Sequence, residues 1–381
     1  MCDTLVSLAN NNAEKGVTYF AKNSDREPDE PQLVEYYSSV PRERKIRVTR
    51  VEVEVKGRVE ASRIVISRPT WMWGAEMGFN EHGVAMGNEA IFTRRRFPKQ
   101  GMLGMDVLRI GLELGKSARD ALDVMVDLVE RYGVGGSNSL KKEEYYDNSF
   151  LISDRERAFV LETYGNRWRY EEVKGYASIS NAPFEPLEGR GESFRYKLNL
   201  LYTYLGRGRE REAYTSSALA KGSVTLRDVM TIMRHHKRER FCPRKGSNED
   251  VCMHSGSLTR TSQTANSMIV ELRQEYVIGW FTFSSNPCIS LYKPLVVGEG
   301  HIKIPYDEDY WLKAQSIHDR LSRKDADLYA KAMKITEKRQ EELLDIVGEA
   351  RGRLPSGDVA ERVYKRAAEI DREHLNELAS L

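Results

Sequence analysis

The stretch MCDTLVSL (residues 1–8) predicts a short strand at the very start of the chain. Val17-Thr18-Tyr19-Phe20-Ala21 predicts a second strand after a turn, so the two form a hairpin. The second strand continues into Lys22-Asn23-Ser24-Asp25-Arg26 at the same end as Cys2. We therefore expect these polar side chains to lie close to Cys2.

Cys2 has a special chemical option because it follows the first Met. Removal of Met1 would leave one residue carrying both a thiol, with a reference pKa of about 8.5, and an α-amine, with one of about 7.7–8.0. Such a residue can attack a carbonyl with its thiol while its own amine acts as the general base. The alternative is that a cysteine in second position has no role.

Composition excludes some classes of protein and leaves others open. The 381 residues are 40% hydrophobic and 30% charged, with a net charge of only +2. We therefore expect a soluble protein with a sizeable core and no nucleic-acid or membrane partner. No signal peptide and no apolar run of about 20 residues is visible, which predicts a cytoplasmic location.

The four cysteines, Cys2, Cys242, Cys252 and Cys288, do not suggest a disulfide framework in so long a chain. Cys242, Cys252 and His254 could indicate a metal, but C-x9-C-x-H is not a standard zinc spacing. We expect buried thiols there, with neither a metal nor an organic cofactor.

The order of predicted elements is strands, two helices, strands, helices and strands. Strands are expected at 48–55, 64–66, 84–90, 149–153, 158–163, 168–171, 177–180, 267–272, 276–283 and 288–292, and helices at 104–131 (divided near Gly115, the second capped by Ser117), 193–205 and 225–235. This order fits two antiparallel sheets stacked between helical layers. Residues 308–348 and 358–379 are highly charged with helical spacing, so residues 305–381 are expected to form a helical C-terminal extension that packs on the core or joins a homo-oligomer.

Several segments together resemble the secernin and cysteine-dipeptidase family. They are Met1–Val6, Ala21–Glu27, Trp71–Val84, Asn148–Ile152, Leu161–Thr163, Ser178–Asn181 and Asn286–Cys288. That family belongs to the N-terminal-nucleophile hydrolases, beside the bile-salt hydrolases and penicillin V acylases. The resemblance implies an α+β fold, a four-layer αββα sandwich, over residues 2–304.

The resemblance also implies roles for individual residues. Cys2 matches the nucleophile, and Asp25 matches an acidic residue that orients the cysteine amine. Asn88 falls where the relatives place an oxyanion-hole amide, and Asn181 falls at a second active-site asparagine position. For each of the last three, the alternative is a residue that serves a turn or strand end.

Two further assignments are looser. Lys22 stands where the bile-salt hydrolases have Arg, so it keeps the charge but loses the bidentate fork, and it could favour the thiolate or bind a substrate carboxylate. Arg195 is matched to a distant active-site Arg of those enzymes, and a surface helix Arg is the alternative.

The resemblance implies hydrolysis of an amide bond without a cofactor, with dipeptides as the expected substrates. Two alternatives stay open. One is an acyl-amide hydrolase or acyltransferase of the penicillin V acylase type, and the other is a non-catalytic secernin-like binding protein.

Overall fold

The computed structural model describes residues 1–9, 12–57, 60–184, 190–191, 194, 196–297, 304–323, 325–354 and 356–381. Within these ranges the strands are β1 (Cys2–Ser7), β2 (Thr18–Arg26), β3 (Gln32–Tyr37), β4 (Lys45–Arg47), β5 (Glu52–Glu54), β6 (Ile64–Pro69), β7 (Met77–Asn80), β8 (Ala85–Ile91), β9 (Asp147–Ser153), β10 (Ala158–Tyr164), β11 (Arg167–Glu172), β12 (Tyr176–Ile179), β13 (Arg190–Gly191), β14 (Gln263–Leu272), β15 (Val277–Phe281) and β16 (Lys293–Val297). The helices are α1 (Gly104–Leu114), α2 (Ala118–Tyr132), α3 (Leu200–Gly206), α4 (Gly208–Leu219), α5 (Leu226–Met233), α6 (Glu308–Ser322), α7 (Ala326–Ala350) and α8 (Gly357–Ser380).

Two antiparallel sheets form the centre of the molecule. The first sheet has the order β12-β1-β2-β14-β15-β16, and the second has the order β13-β11-β10-β9-β8-β7-β6-β3. Their facing sides share one core, in which Phe20 and Phe281 of the first sheet pack with Phe79 and Val160 of the second. The rings of Phe79 and Phe281 stack with centroids 6.2 Å apart across this interface.

Helices cover the outer side of each sheet. On the second sheet, Met86 and Phe150 pack with Leu108 of α1 and Leu122 of α2. On the first sheet, strand residues including Ile278 and Trp280 pack with Val229 of α5, Val347 of α7 and Val363 of α8. The layers therefore run helix, sheet, sheet, helix, which confirms the predicted αββα sandwich.

Because both faces of each sheet are covered, the central strands are buried along their whole length. Every residue of β1, β2, β14 and β15 is buried, including the polar ones. A polar side chain on such a strand must find a partner inside the protein. This requirement brings the polar residues of β1 and β2 into a connected network.

The C-terminal helices pack on the sandwich. The indole nitrogen of Trp311 in α6 donates to the carbonyl of Ala265 at 3.0 Å, and Lys293 of β16 forms a buried ion pair with Asp371 of α8 at 3.0 Å. The extension therefore shares the core of the first sheet. The boundary between residues 304 and 305 stays a prediction, as does oligomerisation through these helices.

Some predicted elements differ from the structure. The strand expected at 48–55 is only β5 at Glu52–Glu54, which pairs with β4 in a hairpin that buries Ile46 and Val53. The strand expected at 288–292 is a 3₁₀ turn at Pro287–Ile289, since Pro287 lacks the N–H that a ladder needs. The helix expected at 193–205 begins at Leu200 as α3, with Ser193 and Arg195 outside the described residues, and α4 was not predicted.

Candidate active site

The β1–β2 hairpin places the thiol of Cys2 beside the end of the second strand. Cys2 pairs with Ser24 in the ladder, so the backbone N–H of Asp25 donates to Cys2 Sγ at 3.2 Å. The side chain of Cys2 is 7% exposed, and burial raises the pKa of its thiol to about 12, although Lys22 lowers it. The thiol is therefore protonated at neutral pH and needs a base before it can act as a nucleophile.

One carboxylate oxygen of Asp25 is hydrogen-bonded and the other is not. Its Oδ1 accepts a hydrogen bond from Thr264 Oγ1 at 2.7 Å, whereas Oδ2 has no partner among the described residues. Burial raises the pKa of Asp25 to about 7, and the positive N-terminal amine nearby opposes that rise. The free oxygen can thus accept a hydrogen bond from an ammonium group next to it.

Asn181 binds the main-chain nitrogen of Cys2. Its Oδ1 accepts from Cys2 N at 2.8 Å, and its Nδ2 donates to the carbonyl of Ala90 at 3.0 Å. One N–H of the Asn181 amide is therefore occupied, and its oxygen is the atom that faces Cys2. This geometry suits a residue that orients the Cys2 amine better than one that donates to an oxyanion.

Arg211 of α4 holds Asp3 and Asn181 in position next to Cys2. It is fully buried and pairs with Asp3 through Nε at 2.9 Å, and its Nη2 donates to Asn181 Oδ1 at 2.8 Å and to Ser180 Oγ at 2.9 Å. One guanidinium thus holds Asp3, which follows Cys2, and Asn181, which binds the Cys2 nitrogen. This role requires the planar fork of arginine.

Lys22 lies between the two sheets. Its ammonium forms a buried ion pair with Glu89 at 3.3 Å and donates to the carbonyl of Asn88. Gly87 makes room for it, because a Cβ at that position would come within 2.6 Å of Lys22 Cδ. Burial opposes the charged form of Lys22, but Cys2 and Glu89 raise its pKa above the ordinary value, so the residue stays a cation near the thiol.

Asn88 lies on β8 of the second sheet. It is 2% exposed. In the orientation that satisfies both ends of its carboxamide, the nitrogen donates to the backbone oxygen of Glu76 at 3.1 Å and to Glu76 Oε2 at 3.2 Å. A buried carboxylate therefore fixes the Asn88 amide.

A cavity of about 450 Å³ opens onto these groups. Cys2, Asp25 and Asn88 line it together with Met1. Its other ionisable lining residues are mostly acidic, namely Glu27, Glu30, Glu76, Glu143 and Glu144, with Arg26 and Lys142 as the cations. An aromatic group that includes Phe92, Tyr146 and Tyr202 forms part of its wall.

The sequence over residues 2–171 matches the model of peptidase family C69. The match covers 170 of the 381 residues, so it shows a similarity to this family over the first part of the chain. The matched segment contains Cys2, Lys22, Asp25 and Asn88, so it covers most of the site. The match confirms the predicted resemblance and supports a cysteine amidohydrolase.

Solved structures with similar layouts include two bacterial hydrolases. A mutant of the conjugated bile acid hydrolase from Clostridium perfringens has 12% identity and a TM-score of 0.49, with 82% of this chain and 98% of that chain covered. Penicillin V acylase from Agrobacterium tumefaciens has 12% identity and a TM-score of 0.45, with 81% and 89% covered. The assignment of the fold rests on the layers described above.

The structure brings together most of the residues that the C69 resemblance singled out. Cys2, Asp25 and Asn88 share one cavity, and Asn181 binds the nitrogen of Cys2. Lys22 faces Glu89 and is not among the cavity's described lining residues. Arg195 lies outside the described residues.

The sequence analysis missed three residues of this candidate site, namely Arg211, Thr264 and Glu89. Arg211 stands in the run Arg207-Gly208-Arg209-Glu210-Arg211, which is typical of an exposed helix. Thr264 and Glu89 carry no motif of their own. A partial signal for Glu89 was its place on a strand predicted to be buried, where a carboxylate requires a cation such as Lys22.

Among the described residues, no helix combines the length and the low charge needed to cross a bilayer.

Proposed function

We propose that the protein is a cysteine dipeptidase in which Cys2, freed of the residue before it, attacks with its thiol and uses its own α-amine as the base. One observation carries this proposal: the nitrogen of Cys2 is already held by Asn181 Oδ1 at 2.8 Å, beside a carboxylate, Asp25, that has an oxygen without a partner. These are the two acceptors that an α-ammonium at Cys2 would need. Arg211 and Thr264 keep both of them in position.

The proposed reaction has two stages. The neutral α-amine takes the thiol proton, and the thiolate attacks the substrate carbonyl to form a C–S bond. The C–N bond then breaks as the ammonium returns its proton to the leaving nitrogen, which leaves a thioester on Cys2. Water, deprotonated by the same amine, attacks the thioester, and the carboxylic acid leaves as the thiol is restored.

The developing negative charge on the carbonyl oxygen needs donors. We propose Asn88 for this role, because it lines the cavity beside Cys2 and Glu76 fixes its carboxamide. One of its two N–H groups would turn from Glu76 to the oxyanion when substrate binds. A preorganised amide donor of this kind contributes about 3–4 kcal/mol to transition-state stabilisation in a comparable enzyme. Asn181 is the weaker candidate, because it is not among the cavity's described lining residues and its oxygen already binds the Cys2 nitrogen.

The charge of the cavity favours a substrate with a free amino group. Six carboxylates line it, counting Asp25, against the two cations Arg26 and Lys142. Arg26 is itself bound by Glu30 at 2.7 Å and Glu76 at 3.3 Å. The remaining negative potential attracts the ammonium group of an unblocked dipeptide.

A panel of dipeptides and their N-acetylated forms tests this specificity. We expect N-acetylation to lower kcat/KM about 10-fold or more, because a charge-assisted hydrogen bond contributes about 1.5–3 kcal/mol. The aromatic part of the wall, with Phe92 and Tyr202, also suits an apolar acyl group. Equal or better turnover of N-acyl amides would therefore assign the site to an acyl-amide hydrolase.

The pH dependence tests the pairing of Asp25 with the α-amine. A carboxylate beside an ammonium raises the pKa of the amine, and Asp25→Asn removes that charge. More of the amine is then neutral at low pH, so the acid limb of kcat/KM should move down by about one pH unit or more, while the plateau falls. The measurement is kcat/KM between about pH 5 and 9.

Asp29→Asn is the matched control for this pH measurement. Asp29 lies just beyond β2, and its side chain is 66% exposed and paired with Lys141. Its substitution should leave the acid limb in place. An acid limb that does not move in Asp25→Asn would contradict the pairing with the amine.

A further inference from the structure

A second group of reactive side chains lies outside the cavity. His236, Cys252, His254 and Cys288 bring one ligand atom each to within 4.8 Å of one another, and we call them the His–Cys cluster. Cys252 is fully buried, and His254 and Cys288 are 2% and 3% exposed. The ring of Phe241 covers His236, with centroids 3.4 Å apart.

The contacts in the His–Cys cluster do not form an ordinary hydrogen-bond network. His254 Nε2 lies 3.2 Å from His236 Nε2, 3.4 Å from Cys252 Sγ and 3.4 Å from Cys288 Sγ. A ring nitrogen carries either one lone pair or one proton, so it can serve only one such partner at a time. Three partners around one nitrogen indicate atoms arranged about a common centre.

The distances agree with a tetrahedral metal ion. Zn–N bonds of about 2.0–2.1 Å and Zn–S bonds of about 2.3 Å give tetrahedral edges of about 3.3 Å for N–N and about 3.6 Å for N–S. The observed 3.2 Å and 3.4 Å lie close to these values. Two thiolates also neutralise a divalent cation, which makes burial of the site electrostatically favourable.

We propose that the His–Cys cluster is a structural zinc site. Two cysteine and two histidine ligands suit zinc, whereas iron–sulfur clusters are held mainly by cysteine thiolates. Zinc binding would replace the two thiol protons, which pass to solvent, and form two Zn–S and two Zn–N bonds. A surface cavity lined by His236 and Cys288 provides a way in for the ion.

The proposed ion would connect parts of the fold that are distant in sequence. His236 follows α5, Cys252 and His254 precede β14, and Cys288 lies in the 3₁₀ turn before β16. The hydroxyl of Tyr329 in α7 lies 3.2 Å from Cys288 Sγ, so the extension supplies an outer contact to the ligand. The site would thus hold the C-terminal helices to the sandwich.

Two of the proposed ligands, Cys252 and His254, flank Met253, which is connected to the cavity residue Asp25 through Thr264. Met253, between Cys252 and His254, exchanges two hydrogen bonds with Thr264, from Met253 N to Thr264 Oγ1 at 3.0 Å and from Thr264 N to Met253 O at 3.0 Å. Thr264 in turn donates to Asp25. Loss of the ion is therefore expected to loosen Asp25 although no ligand lines the cavity around Cys2.

The test uses the full chain, purified without a histidine tag or chelator, and measures metal by mass spectrometry of the elements. We expect about one zinc per chain, lost in Cys252→Ser and Cys288→Ser and retained in Cys242→Ser. His236→Gln should weaken zinc binding at least about 10-fold, whereas the neighbouring His235→Gln should not. Retained zinc in Cys252→Ser and Cys288→Ser would contradict the assignment.

Two measurements on the unmodified chain test the zinc assignment even if the variants fail to fold. Chelator-treated protein titrated with Co²⁺ should show the visible bands of tetrahedral cobalt and thiolate-to-cobalt charge transfer, saturating near one equivalent. Absence of both zinc and these bands overturns the proposal. A thiol count on the unreduced, denatured chain that finds only two of the four cysteines would instead reveal a disulfide and would also overturn it.

Discussion

Cys2→Ala is expected to lower kcat by at least about 10³-fold, since the variant has no nucleophile left for the proposed thioester. Cys2→Ser should retain a small residual rate, because its hydroxyl can still attack but is a far weaker nucleophile than a thiolate. Steady-state hydrolysis of an unblocked dipeptide measures both effects. Turnover near the unmodified level in Cys2→Ala would refute the mechanism.

The loss in Cys2→Ala should come without a loss of folding. The thiol makes weak contacts with the N–H and carbonyl of Asp25, so its removal leaves no buried charge unpaired. We expect the midpoint of thermal unfolding to stay close to that of the unmodified protein. Cys242→Ala, a cysteine that does not line the cavity, is the matched control and should retain full activity.

The state of the Cys2 amine can be measured directly. Intact mass before and after stoichiometric thiol alkylation, followed by location of the label, reports both removal of Met1 and the reactivity of each cysteine. Fast and selective labelling at Cys2 in a chain without Met1 would support the proposed nucleophile. A chain that keeps Met1, or a Cys2 no more reactive than Cys242, would favour a binding protein on a hydrolase scaffold.

Arg211→Met is expected to destabilise the fold by about 3–5 kcal/mol, because it leaves the Asp3 carboxylate buried without its cation. The same change frees Asn181 Oδ1 from its second donor, so activity should fall as well. Denaturant unfolding measured by circular dichroism gives the free energy of unfolding. Arg209→Met, on the same helix but exposed, should change it by no more than about 0.5 kcal/mol.

A double-mutant cycle separates the ion pair from the packing of Arg211. Adding Asp3→Asn to Arg211→Met removes the stranded charge and should restore a large part of the lost stability. Activity should not return with it, because Asn181 still lacks the guanidinium. Additive losses in the double variant would show that the pair with Asp3 is not the source of the effect.

The hairpin and the layers could be predicted because local patterns specify them. The structure confirms the strands predicted at residues 3–8 and 17–21 as β1 and β2. It also confirms the division of the helices near Gly115, where Ser117 accepts a hydrogen bond from Asp120 N at the start of α2. Turn and capping residues act within a few positions, so their signals survive in a single sequence. The strand expected at 48–55 differs from the observed hairpin of Ile46 and Val53, because burial of alternate residues fixes a face but not the path of the backbone.

The site was predictable only where a motif carried it. Cys2 and Asp25 belong to such motifs, whereas Arg211, Thr264 and the His–Cys cluster depend on contacts between positions tens to hundreds of residues apart. Cys242 stood in the rejected C-x9-C-x-H pattern, yet the structure joins Cys252 and His254 to His236 and Cys288. The ligands come from three separate segments, so no spacing rule could have found them.

Met1 lies in the wall of the cavity that Cys2 lines. A residue attached to Cys2 therefore does two things at once: it turns the amine into an amide, which cannot accept a proton, and it takes up space where the substrate would sit. Under the proposed mechanism, cleavage of the peptide bond before Cys2 converts an inactive chain into an active one. An affinity tag fused ahead of Cys2 would block both the amine and the cavity, so tags for biochemical work belong at the C-terminus.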